Sequence, residues 1–111
     1  MAKGIYRLAQ GDQRKIPFDL TLNGVTLTPD ALTELEICAA DQAFRKLMSA
    51  GEVGFDESIG RWVFLLTQEE TLALEPNTYT VQARPEFPDG TVIKINIGSI
   101  RVEDAHSEEV I

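Results

Sequence analysis

Residues 60–84, GRWVFLLTQEETLALEPNTYTVQAR, decide the architecture. Trp62, Phe64 and Leu66 alternate with Val63 and Leu65, the period of two that an extended chain imposes on its side chains. Apolar residues on both faces predict a strand covered on both sides, in the core or at a contact with another chain. Thr67, followed three residues later by Glu70, then matches a capping box. The Thr hydroxyl accepts from the Glu70 amide while the Glu70 carboxylate accepts from the Thr67 amide. A short helical turn over 68–74 is expected, closed by Pro76-Asn77. Beyond it Tyr79, Val81 and Ala83 alternate with Thr80, Gln82 and Arg84, so a second strand begins.

The same period recurs along the chain. Ile5–Ala9 reads as a strand broken by Gly11-Asp12, and Ile16, Phe18, Leu20 and Leu22 alternate with Pro17, Asp19, Thr21 and Asn23. Pro17 has no amide to donate, which places it at a strand start or an edge. Asn23-Gly24 is a hairpin signal leading into VTLT. TPDALT at 28–33 reads as a turn with Pro29 in its first position. ELEICAAD at 34–41 is a strand with Glu34 and Glu36 on its wet face. In QAFRKLMSA at 42–50, Phe44, Leu47 and Met48 have helical spacing, yet an irregular edge strand fits equally and is the reading adopted. GEVGFDESIG closes a hairpin onto the 61–66 strand, and Pro88–Gly90 is a turn. Ile93, Ile95 and Ile97 share a face, but beyond Gly98 the apolar set becomes Ile100 and Val102. That change of parity predicts a β-bulge at Gly98-Ser99.

Seven or eight short strands with one helical turn predict an all-β fold, an antiparallel sandwich. Strand, capped turn, then a strand opening on Tyr is the corner between the fifth and sixth strands of immunoglobulin-like domains, where the Tyr hydroxyl bonds back to the backbone. The expected fold is therefore a single immunoglobulin-like β-sandwich over 1–102, followed by an acidic, flexible tail at 103–111. Tyr79, Trp62, Thr67 and Glu70 are its structural markers. Val81 stands where such domains can carry a cysteine, so no inter-sheet disulfide is expected.

A chain of 111 residues with 43% hydrophobic and 25% charged content has the composition of one globular domain with its own core. No apolar run reaches the ~18–20 residues that span a bilayer, and MAKGIYRLAQGDQRK lacks the apolar stretch of a secretory signal. Synthesis in the cytoplasm and no membrane partner are expected. A net charge of −8 argues against nucleic acid. The charge is uneven: Lys3, Arg7, Arg14 and Lys15 lie near one end, and Glu103, Asp104, Glu108 and Glu109 near the other. The plain reading is solubility. The sharper one is ends of opposite sign that meet between neighbouring subunits, with the apolar Val110 and Ile111 as a further contact.

Catalytic chemistry finds little footing. His106, the one histidine, lies in the unpatterned tail. A dyad would need it docked beside Cys38 or a serine, which no pattern indicates. One histidine and one cysteine are a poor basis for a zinc site. Cys38 reads as a buried or half-buried small hydrophobe. Asp56, Glu57 and Ser58 could offer oxygens to Ca²⁺, but lack the spacing of a calcium loop and read better as an acidic turn. No catalytic, cofactor-binding or metal residues are expected, and no cofactor.

YRLAQGDQRKIPFDLTLNGVTLT (6–28), GEVGFDESIGRWVFLLTQEETLAL (51–74), YTVQARPEFPDGTV (79–92) and the ending HSEEVI (106–111) together resemble small structural proteins from the late operons of tailed phages and prophages. The opening is similar to the N-terminal β-sandwich modules of tail and baseplate proteins, over about residues 5–102. The resemblance implies a non-enzymatic, homo-oligomeric virion component that partners other virion proteins in the tail, the baseplate or as head decoration. A one-domain chain would then be an adaptor or a decoration protein rather than a receptor-binding part. Two other readings stay open: a carbohydrate- or host-surface-binding sandwich, which would want exposed aromatics, and a small acidic regulatory or inhibitor protein.

Overall fold

The computed structural model describes residues 5–39 and 41–104. Its elements in chain order begin with β1 (Ile5–Ala9), β2 (Arg14–Phe18) and a miniature hairpin, β3 (Thr21–Leu22) with β4 (Val25–Thr26). After a 3-10 turn at Pro29–Ala31 come β5 (Glu34–Ala39), β6 (Arg45–Leu47), β7 (Val53–Asp56) and β8 (Arg61–Leu66). The short helix α1 (Gln68–Ala73) precedes β9 (Asn77–Glu86) and β10 (Ile95–Glu103). One sheet has five strands in the order β1-β10-β9-β5-β6, and the other has three, β2-β8-β7. The protein is an all-β sandwich, with the connection order of an immunoglobulin-like domain.

Alternation explains the layers. From the five-stranded sheet Leu35, Ile37, Val81, Ala83, Ile100 and Val102 are buried, and from the other Ile16, Phe18, Val53, Trp62, Phe64 and Leu66. Each such large side chain contributes about 1.5–3 kcal/mol by leaving water. Trp62 is the centre: Phe18 stacks beside it at 6.4 Å between centroids, and Phe55 meets it edge-on at 5.6 Å. Its indole N–H donates to the Leu27 carbonyl at 2.8 Å. Val63 and Leu65, on the outer face of β8, are half-buried.

Four details depart from the sequence reading. First, β1 joins β10 in parallel, with Ile5 opposite Ser99 and Ala9 opposite Glu103, so the sandwich is not wholly antiparallel. Gly11, at φ 89°, turns the chain out of one sheet and into the other before β2. Second, the 16–22 alternation does not continue as one strand. β2 pairs with β8 only as far as Phe18 opposite Trp62, because β8 begins at Arg61. The chain past Asp19 has no partner there and folds on itself, leaving Leu22 exposed. Third, the bulge lies one residue earlier than expected. Asn96 pairs with Gln82 and Gly98 with Val81, so Ile97 is the extra residue, and Gly98 takes φ 138°, a conformation that favours glycine. Fourth, β10 runs through Glu103, one residue beyond the expected boundary. The remainder of the proposed tail, 105–111, lies outside the described residues.

QAFRKLMSA resolves as the edge strand β6, and the 51–66 hairpin and the Asn23-Gly24 turn form as read. Asn23 and Gly24 both have positive φ, 54° and 81°, as a type I′ turn requires.

Candidate functional site

The corner after β8 is built as its residues dictate. The Thr67 hydroxyl accepts from the Glu70 amide at 3.2 Å, and Glu70 accepts from the Thr67 amide at 2.9 Å. Thr71, wholly buried, accepts from the Gly11 amide at 3.0 Å and donates to the Asp12 carbonyl at 2.7 Å. Helix α1 is thereby tied to the turn between β1 and β2. The Tyr79 hydroxyl donates to the Glu75 carbonyl at 2.7 Å, closing the tyrosine corner. Burial pushes its phenol upward, with Asp41 and Glu75 adding to the shift. Replacing Tyr79 by Phe is expected to cost about 1 kcal/mol in a urea melt. An unchanged midpoint would show that the hydroxyl bond is not a support of the corner.

One participant was not foreseen. Lys46, on the edge strand β6, points inward and is 3% exposed. Its ammonium lies 2.5 Å from both carboxylate oxygens of Glu70. Burial alone raises the Glu70 carboxyl, but Lys46 and the Thr67 amide outweigh it and hold the group below its ordinary value of 4.5. Glu70 therefore caps α1 and neutralises a buried cation at once.

The charged residues of the proposed interface are partly brought together within the chain. Because β1 is parallel to β10, Arg7 lies opposite Arg101 and reaches Glu103 at 3.3 Å. Arg101 approaches the same carboxylate at 3.6 Å and donates to the Thr78 hydroxyl at 3.2 Å. These four side chains line an open depression of ≈ 360 Å³. Glu103 thus relieves two guanidinium groups that would otherwise repel across the ladder. All are solvent-facing, and each pair contributes about 0–1 kcal/mol. Arg14 pairs with Asp12 at 3.3 Å, Lys15 is exposed on β2, and Asp104 is exposed just past β10. Lys3, Glu108, Glu109, Val110 and Ile111 lie outside the described residues, as does His106.

Cys38 is half-buried on the outer face of β5. Burial and the neighbouring Glu36 push its thiol upward, away from the thiolate that a nucleophile needs. Glu36 on the same face pairs with Arg45 and Arg84. Asp56 accepts from both the amide and the hydroxyl of Ser58 at 3.0 and 2.6 Å, which accounts for the acidic turn as a local backbone device. No protein-family model matches the sequence, and no curated protein does either.

Proposed function

We propose that this protein is a non-enzymatic structural module of a tailed phage or prophage that works by protein–protein assembly. What carries the reading is the sequence resemblance of 6–28, 51–74 and 79–92 to tail and baseplate sandwich modules. The roles of the site side chains support it. Glu70, Thr71, Tyr79 and Asp56 are each engaged in holding a corner or a turn. Oligomer formation and contact with other virion proteins belong to the same proposal, as does a place in the virion. The sugar-binding reading loses ground on one observation: Trp62, Phe18, Phe64 and Phe44 are all buried in the core, where they cannot stack on a glycan.

The test is to induce the prophage of the bacterium that encodes the chain, purify particles on a density gradient and quantify their proteins by mass spectrometry. The chain is expected in the particles at a fixed ratio to the tail proteins. Particles of full infectivity without it would overturn the proposal.

A further inference from the structure

Strand directions fix which loops share an end of the sandwich. The turn 57–60 lies beside the end of β2, since Phe18 pairs with Trp62 and Asp19 meets Arg61 at 2.9 Å. The turn 87–94 lies beside the start of β5, where Glu34 pairs with Glu86 and the Thr33 amide donates to the Glu86 carbonyl at 2.7 Å. Segment 19–33 runs from the first place to the second, so all three belong to one end. The opposite end is the corner, where Gly11 bonds to Thr71 and Gln10 to the Leu74 carbonyl.

Exposed large apolar side chains are not shared evenly between the two ends. Among the described residues, Leu22 (37%), Val25 (64%), Ile59 (52%) and Val92 (47%) are all on the first end, and Leu72 alone is on the corner. The hairpin carrying Leu22 and Val25 is exposed along its whole length, 21–26. The two residues are directly paired, so they share a face, with Thr21 and Thr26 on the other. A two-stranded hairpin in water is marginal by itself. This one is anchored by the Leu27 amide donating to the Leu20 carbonyl and by Trp62 on the Leu27 carbonyl. The sandwich thus holds an apolar finger out into solvent, with Ile59 and Val92 on neighbouring loops. Scattered exposed apolar residues are ordinary, but a group on one end points to contact.

Charge selects the occupant. Among the described residues, Asp30, Glu57 and Asp89 are exposed on the loops of this end, against Lys94 and an Arg61 already paired with Asp19. A second copy offers the wrong sign at this end, and little positive charge at the corner. There Asp41, Glu69, Glu75 and Asp104 are exposed against Lys15, while the exposed Arg14 and Arg45 are paired with Asp12 and Glu36. We propose that the end carrying the 21–26 hairpin is a docking surface for a different protein, one that offers an apolar recess rimmed by Lys and Arg. The hairpin fills the recess, and the surrounding acids speed the encounter and exclude self-stacking. This deepens the assembly proposal and rests on it.

The test uses the intact chain with each separately purified protein encoded by its neighbouring genes, in biolayer interferometry. One neighbour is expected to bind. A Leu22→Asp/Val25→Asp variant should weaken that binding roughly tenfold or more, Ile59→Asp should weaken it too, and Leu72→Asp at the far end should not. Circular dichroism should show every variant folded, since the replaced side chains are exposed. Raising the salt from about 0.05 to about 0.5 M should slow association. Binding that ignores the hairpin variant, or ignores salt, overturns this surface while leaving assembly intact. Self-association lost with the same variant would make the occupant a second copy and overturn it likewise. If no neighbour binds, the docking surface is wrong, and the particle measurement alone then decides whether the assembly proposal stands.

Discussion

Replacing Trp62 by alanine is expected to destabilise the protein by about 3–5 kcal/mol, the largest effect of any single change to the core. The indole is wholly buried, flanked by Phe18 and Phe55, and donates to the Leu27 carbonyl. Truncation removes the transfer free energy of the ring, opens a cavity between the sheets and strips a buried carbonyl of its donor. A small domain holds only about 5–15 kcal/mol in total, so the urea midpoint should fall steeply. Trp62→Phe keeps most of the ring but not the N–H, and should cost about 1–3 kcal/mol. The Leu27 carbonyl is where the miniature hairpin rejoins the body, so this variant should also speed amide exchange in 20–27. A loss below about 1 kcal/mol for alanine would be incompatible with a cavity-forming core position.

The second large effect concerns Lys46 and Glu70. Glu70→Gln keeps the shape and an oxygen for the Thr67 amide, but leaves the buried Lys46 ammonium without its counter-charge. Removing one partner of a buried pair costs about 3–5 kcal/mol. Glu70 is itself about one-third exposed, at 34% of its side chain, and water screens part of that, so about 2–3 kcal/mol is expected. Lys46→Met/Glu70→Gln should recover much of the loss, because an apolar side chain at 46 needs no partner.

The pH dependence has a definite sign. The folded Glu70 carboxyl is held below its ordinary value of 4.5. Its contribution is therefore present above that value and is lost as pH falls through the folded value. Wild type and Glu70→Gln should differ most near neutrality and converge in acid. Melts in which the gap is constant from neutral pH down through the acid range would show that the pair does not couple to folding.

Much of this architecture could be read from local pattern. The 61–66 alternation, the Thr67–Glu70 box and the Tyr79 strand are short-range signals, and short-range physics reproduces them. What escaped reading was set by partners distant in the chain. Nothing within IYRLA announces a parallel neighbour ninety-odd residues away, and that neighbour brings Arg7 onto Glu103. Leu22 continues the period of Ile16, Phe18 and Leu20, yet it is exposed because β8 begins at Arg61 and offers no residue opposite it. Lys46 follows the alternation of β6 correctly, but the ordinary rule that lysines face water hid its inward direction. The grouping of Leu22, Ile59 and Val92 needs strand directions, which composition does not contain.

The parallel pairing of β1 with β10 has a mechanical meaning. Tension applied between Ile5 and Glu103 pulls the two strands past each other lengthwise, since their paired residues run in the same direction from Ile5–Ser99 to Ala9–Glu103. The load then falls on every rung of that ladder simultaneously, whereas a hairpin pulled at its open end yields one rung at a time. A body joined to its neighbours through these two strands would resist stretching as a shear clasp, and a single-molecule pulling trace reads that resistance directly.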